Sequence, residues 1–191
     1  DRIRMQDLAT NPNIFIRSMG TRGHLGGLAR ATSQAVKILD AFGCDCIFVE
    51  TVGVGQSEID IARMADTTVI IMVPGLGDDI QAIKAGIMEI GDIFAVNKAD
   101  RDGADKVVIE INSMLDFYMY DRRPPVIKTV ATLGTGIDDF ALQISEHMDY
   151  LKSSDRLKDR RKANSRGEIL ELIKQKVVDM ASDSTGMVSI D

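Results

Sequence analysis

Four short runs of β-branched and apolar residues, Cys44 to Val49, Thr67 to Val73, Asp92 to Val96 and Pro125 to Val130, alternate along the chain with stretches of helical periodicity. No other feature constrains the fold as strongly. Helical patterns cover Leu25 to Ala41, closed by Gly43, then Ser57 to Met64, Ile80 to Ile90, Ala104 to Tyr120 and Ile137 to Leu151. Nearly continuous apolar strands need cover on both faces, and the simplest packing that gives it is a parallel sheet with right-handed helical crossovers. The expected fold class is therefore α/β, a mostly parallel sheet with helices on both faces. In such sheets ligands gather at the carboxyl ends of the strands.

The chain is long enough to close such a sheet. Of its 191 residues 45% are hydrophobic and 27% charged, which supports a sizeable core and excludes disorder or a coiled coil as an overall reading. The longest uninterrupted apolar run, Val69 to Val73, is far short of the roughly 20 residues that cross a bilayer. No membrane partner is expected, and the expected location is the cytoplasm. Cys44 and Cys46 cannot make a disulfide framework, and no nearby Cys or His completes a metal set with them. Residues 152–174 hold eight basic and four acidic side chains in a chain whose net charge is −6. No interleaved aromatics accompany that stretch, so a solvated helix or a subunit contact is the reading and nucleic acid is not. From about Glu168 a helix pattern reappears, apolar along one side, through Ile169, Leu170, Leu172, Ile173, Val177 and Val178. The expected division is a partial catalytic domain over 1–151, then a basic linker and a C-terminal helical dimerisation arm over 152–191.

Three strand ends carry the chemistry. After the apolar run Ile47-Phe48-Val49 come Glu50-Thr51-Val52-Gly53-Val54-Gly55-Gln56-Ser57. A carboxylate there can hold a water on Mg²⁺, and Gly53 and Gly55 let backbone N–H groups approach a terminal phosphate without a Cβ in the way. An ordinary loop with Ser57 as helix cap and Asp60 closing a capping box fits the same residues. The second end is Asn97-Lys98-Ala99-Asp100. A carboxylate at Asp100 presents two acceptors to the N1–H and N2–H₂ donors of guanine, whereas adenine would leave it unpaired. Asn97 would brace the loop and Lys98 would lay its stem along the purine. The third end runs through Lys128-Thr129-Val130-Ala131-Thr132-Leu133-Gly134-Thr135-Gly136, where a turn over Ala131 and Thr132 can aim the Ala131 N–H at guanine O6. Phosphate, base and carbonyl contacts from consecutive strand ends are far more specific together than any one alone.

These motifs resemble the GTPases of the MeaB/ArgK family, the G proteins associated with methylmalonyl-CoA mutase. The similarity covers nearly the whole chain: Asp1-Arg2-Ile3-Arg4-Met5, Gly23-His24-Leu25-Gly26-Gly27, Glu50 to Glu58, Pro74-Gly75-Leu76-Gly77-Asp78-Asp79-Ile80-Gln81 and Asn97 to Asp100. The resemblance implies a P-loop NTPase-type sheet, with GTP or GDP and Mg²⁺ as cofactors. It implies that Asp1 and Glu50 help position the metal, and that Gly75, Gly77, Asp78, Asp79 and Gln81 belong to a mobile switch. It further implies a chaperone that couples GTP binding and hydrolysis to cofactor loading and protection of an adenosylcobalamin-dependent acyl-CoA mutase, working as a homodimer. Hydrolysis would then proceed by in-line attack of water, with Gln56 a candidate to orient it and Arg4 to meet phosphate charge.

One element of the pattern departs. The motif G-x-x-x-x-G-K-[S/T] does not occur in the sequence, so the phosphate cradle, its Lys and its hydroxyl are not supplied by these residues. The expectation is a fragment that lacks the first strand and P-loop, binds GTP poorly and hydrolyses little, and is less stable than a longer form. Three other readings compete. A transport-associated kinase or ATPase conflicts with Asp100. A nickel-insertion GTPase would bring Cys/His metal sites that Cys44 and Cys46 alone do not reproduce. A protein-binding module without catalysis would keep the switch segment and the C-terminal helix as partner contacts.

Overall fold

The structure is a computed structural model that describes residues 5–8, 10–20, 25–51, 62, 64–75 and 85–185. The chain falls into two compact units, Asp1–Ile61 and Ala62–Asp191. In the first, helix α1 spans Leu25–Phe42. It stops where the sequence places its stop. Gly43 takes φ +94°, its N–H donates to the Asp40 carbonyl at 3.0 Å, and the Cys44 N–H reaches back to Leu39 at 3.1 Å. These two bonds form a Schellman cap, which needs the left-handed backbone that glycine adopts without a Cβ penalty. Cys44 to Val49, expected as a buried strand, is not one; Phe48 is 79% exposed. An apolar run becomes a strand only when a neighbour pairs with its N–H and C=O groups, and among the described residues none does so here.

The second unit is α/β. Three parallel strands lie in the order β1 (Val69–Met72), β2 (Ile93–Asn97), β3 (Val126–Thr129). The helices α2 (Ala85–Ile90), α3 (Ala104–Leu115), α4 (Ile137–Ser153) and α5 (Arg156–Thr185) complete the unit as described. Among the described strands only β2 is buried along most of its length: Ile93, Phe94, Ala95 and Val96 are all excluded from solvent. Phe94 and Val96 point to one face and pack against Ala104, Val107, Ile111 and Leu115, the helically spaced apolar side of α3, with Met88 of α2. Ile93 and Ala95 point to the opposite face, and α4 packs against β2 and β3. Burial of this kind is worth about 1.5–3 kcal/mol per large side chain, so β2 and α3 form the stable centre of the unit. Ile71 of β1 is 63% exposed; among the described residues β1 has one strand neighbour.

Two helices differ in extent from the sequence reading. The pattern from Ala104 to Tyr120 continues past the helix because Tyr118 and Tyr120 still pack on the core, whereas Phe117 is 86% exposed and Met119 fully so. α3 ends at Leu115 in hydrogen-bonded turns, the Phe117 N–H donating to the Met114 carbonyl at 3.2 Å and the Tyr118 N–H to the Leu115 carbonyl at 3.1 Å, and past them exposure alternates with period two. Arg123 caps the helix end, donating to the Asn112 carbonyl at 3.2 Å and pairing with Asp116. The polar residues from 152 onward, read as a linker, form the end of α4 and the first turns of α5.

The basic stretch of α5 is docked within its own unit. Arg160 donates to both oxygens of Asp92 at 3.0 and 2.8 Å, and Asp92 also accepts the Thr68 N–H at 2.7 Å. His147, buried on α4, places Nε2 3.4 Å from Asp92 and shares a 2.9 Å hydrogen bond between Nδ1 and the Thr67 hydroxyl. Arg161 forks onto Asp66 at 3.0 and 2.6 Å, and Arg156 pairs with Asp121. Burial raises the Asp92 carboxyl, but hydrogen bonds from His147, Arg160 and Thr68 with the Arg160 charge outweigh it and hold the group below the usual carboxylate range. This clamp lies at the amino ends of β1 and β2, opposite the end where the sequence motifs emerge.

Candidate functional site

The carboxyl ends of β1, β2 and β3 lie side by side because the strands are parallel and in register. Met72 pairs with Val96, and Asn97 with Thr129. Each end releases the chain into a loop, and these loops carry the motifs.

After Asn97 the backbone turns sharply. Lys98 takes φ +56°, in the left-handed region that residues with a Cβ rarely enter, at a cost on the order of 1 kcal/mol or more. Bonds on either side hold it there. The Arg101 N–H donates to the Lys98 carbonyl at 3.0 Å, and the Ala99 N–H donates to the Thr129 carbonyl at 3.0 Å, tying the turn to β3. The result exposes the side chains of Lys98 and Asp100. Among the described residues the Asp100 carboxylate has no partner, in contrast to Asp105 on the neighbouring helix, which Lys128 neutralises at 2.9 Å.

Asn97 joins the two loops. Its Oδ1 accepts the Ala131 N–H at 3.1 Å and the Thr129 hydroxyl at 3.3 Å. Two donors saturate a carbonyl oxygen, so the amide is fixed with Oδ1 turned inward and its two Nδ2–H donors unused among the described residues. The Ala131 N–H, expected on guanine O6, is therefore bonded inside the protein. The reason is geometric: register places Asn97 opposite Thr129, two residues from Ala131, within reach of its amide.

The third loop is shaped by its backbone. Ala131–Leu133 forms a single 3₁₀ turn, and Val130 bridges Thr135 with its N–H 2.9 Å from the Thr135 carbonyl. Gly136 then takes φ +74° so close to β3 that a Cβ would stand 2.2 Å from the Lys128 carbonyl oxygen. Only glycine fits there. Ala131 and Thr132 are thereby held exposed beside Asn97.

Asn97, Lys98, Asp100, Ala131 and Thr132 are thus brought together at two adjoining strand ends, and Gly75 follows β1 at the third. Glu50 lies in the first unit and is exposed. Asp1, Arg4, Gly53, Gly55, Gln56, Gly77, Asp78, Asp79 and Gln81 lie outside the described residues. Among the described residues no three His, Cys, Asp or Glu side chains cluster to hold a metal ion. Thr129 was not singled out from the sequence as a site residue. Its one signal there is a hydroxyl at the last position of a strand that feeds a glycine-rich turn.

The family model described as methylmalonyl Co-A mutase-associated GTPase MeaB matches residues 1–186. A protein of Pyrococcus abyssi that carries GTPase in its name is 55% identical over 179 residues, 91% of this chain and 55% of that protein. GTPase ArgK of Escherichia coli is 38% identical over 171 residues, 86% of this chain and 52% of its own length. The mouse methylmalonic aciduria type A homolog, mitochondrial, is 34% identical over 185 residues, 94% of this chain and 45% of that protein. The chain spans about half the length of the curated relatives it matches. With a match that runs almost end to end and motifs that fall on adjoining strand ends, the chain belongs to the family of the methylmalonyl-CoA mutase-associated GTPase MeaB.

Proposed function

We propose that these residues form the guanine-reading part of a GTPase that serves an adenosylcobalamin-dependent acyl-CoA mutase, coupling GTP to cofactor loading and protection. One observation carries the base-reading part: an Asp100 carboxylate without a partner among the described residues, beside an Asn97 amide whose Oδ1 is turned inward. Guanine offers donors along N1 and N2 and acceptors at O6 and N7, so a carboxylate and an amide N–H are the complementary groups. Adenine has an acceptor at N1 and a donor at N6, which would set acceptor against acceptor. This favours GTP over the ATP of a kinase or ATPase reading.

The rest follows the family. Gly53 and Gly55 would approach the phosphates, Gln56 and Arg4 would orient water and meet phosphate charge, and Gly75, Gly77, Asp78, Asp79 and Gln81 would report nucleotide state. Mg²⁺ would accompany the nucleotide with Asp1 and Glu50 near it. Of those two, Glu50 lies among the described residues and is exposed. The mutase partner is supported by the family description and by the name of the mouse relative. A homodimer is supported by the apolar residues Ile169, Ile173, Val177 and Met180, exposed at helical spacing on α5. We place the protein in the cytoplasm; no described helix is long and apolar enough to cross a membrane.

Substitution of Asp100 by Asn tests the base assignment. Asn presents a donor where guanine also donates and would pair instead with the extra carbonyl of xanthine. GDP affinity is expected to fall by roughly 10- to 100-fold and XDP affinity to rise. Unchanged discrimination between the two would remove Asp100 from the site.

A further inference from the structure

We infer that α5 is a hinged lever: it turns as a rigid helix about Asp155, and an ionic latch on the amino edge of the sheet sets its angle. An acid precedes each strand, Asp66 before β1, Asp92 before β2 and Asp121 before β3. The first two turns of α5 carry one arginine for each of them. Arg161 forks onto Asp66 at 3.0 and 2.6 Å, Arg160 onto Asp92 at 3.0 and 2.8 Å, and Arg156 pairs with Asp121. The order of the arginines along the helix follows the order of the strands in the sheet, so the root of α5 lies across all three amino ends, from β3 to β1.

This root is latched and not packed. Of residues 156–170 only Leu157, Arg160, Asn164 and Glu168 are half-buried, and Leu157 alone among them is apolar, so little hydrophobic burial holds the helix down. A cavity of about 330 Å³, lined by Thr68, Glu89, Ile90, Asp92, Arg160 and Asn164, borders the same face, where a seated helix would fill the space with side chains. Arg156, Asp121 and Arg161 are half or more exposed, whereas Asp92 and Arg160 are largely buried. Water and salt therefore loosen the outer pairs first, and the inner pair holds longest. The link to α4 is two residues, Ser154 and Asp155. Asp155 takes φ +56°, which a residue with a Cβ adopts only under constraint. On one side of it the Ser154 N–H donates to the Tyr150 carbonyl at 3.1 Å; on the other, Lys158 donates through its N–H to the Asp155 carbonyl at 3.2 Å and through Nζ to the Asp155 carboxylate at 3.0 Å. Each half of the link is bonded to its own helix, which leaves Asp155 as the pivot. At 1.5 Å per residue, a tilt of about 10° there carries Lys176 through about 5 Å. The latch thus aims the exposed row of Ile169, Ile173 and Val177, whatever covers it.

The test uses the 191-residue chain carrying Cys44→Ser and Cys46→Ser. Spin labels at Lys106→Cys on α3 and Lys176→Cys on α5 are read by pulsed electron resonance, in chain diluted into an unlabelled excess so that only distances within one molecule count. A second pair, Lys106→Cys with Asp149→Cys, spans α3 and α4 and reports the fold of the unit. The first distance is expected to be narrowly distributed at low salt. Arg156→Gln combined with Arg161→Gln, or about 1 M NaCl with the arginines in place, is expected to broaden it and shift it by roughly 5 Å or more, while the second distance and the helical circular dichroism stay unchanged. A first distance unmoved by both treatments overturns the latch. A second distance that moves with the first, or a loss of helix, overturns the rigid lever, because the unit or α5 itself then gives way.

Discussion

Replacing Asp92 by Ala should cost this protein more than any single substitution at its exposed ion pairs. The carboxylate accepts two N–H bonds from Arg160 and one from the Thr68 backbone, with His147 at 3.4 Å. Truncation leaves a guanidinium and a backbone N–H without their partner in a region where the Asp92 and Arg160 side chains keep only 18% and 25% of their exposure. Breaking a buried pair by removing one member costs 3–5 kcal/mol, and partial solvent access sets the value here near about 3 kcal/mol. For a chain of this size that corresponds to a midpoint lower by roughly 6–12 °C. Arg161→Ala removes a pair whose arginine is more than half exposed and should cost no more than about 1 kcal/mol. Thermal melting of the two variants beside the natural chain at neutral pH is the assay. The sign in pH follows from the lowered carboxyl: the clamp's contribution is present above the ordinary Asp value and is lost as pH falls through the lower folded value. Asp92→Asn should therefore flatten the acid limb of the stability curve. Equal, small shifts for Asp92→Ala and Arg161→Ala would refute the claim that the clamp fastens α5 to the sheet.

Three further outcomes are expected. Gly136→Ala forces a Cβ against the Lys128 carbonyl at a backbone angle unfavourable to alanine, and should destabilise by about 1–3 kcal/mol or more while weakening GDP binding; a neutral effect in a denaturant titration contradicts the packing. Ile173→Glu places a charge in the apolar row of α5, so under the homodimer proposal sedimentation should find the natural chain dimeric and the variant monomeric, and a variant that stays dimeric would move the interface elsewhere. Lys98→Gly relieves the left-handed backbone and should leave stability level or raised by up to about 1 kcal/mol while nucleotide affinity falls; a large loss of stability would contradict the strain assigned to that turn.

Which parts of this were legible in the sequence depends on how local their causes are. Gly43 ends α1 through bonds spanning six residues, and Asn97 to Asp100 mark a strand end by residue type alone, so both could be read directly. The core side of α3 was visible as helical spacing, but Tyr118 and Tyr120 extended the pattern because a period-two segment can pack on the same core. The first turns of α5 have no apolar period. Their attachment comes from Arg156, Arg160 and Arg161 meeting acids 35 to 95 residues away in sequence, which no local pattern encodes. Cys44 to Val49 fails as a strand for the complementary reason: its composition is right, but pairing is a property of the neighbour. At the site, residue identities carried the proposal of base recognition, whereas the bond from Ala131 to Asn97 needed the register of β2 against β3.

The most direct measurement is a ¹⁵N-resolved titration of the chain with GDP and, separately, with ADP. If β2 and β3 present a guanine-reading surface, GDP shifts the Asn97 side-chain amide and the backbone signals of Lys98, Asp100 and Thr132 saturably, and ADP at the same concentration does not. Equal shifts with both nucleotides, or shifts confined to other parts of the chain, would contradict it.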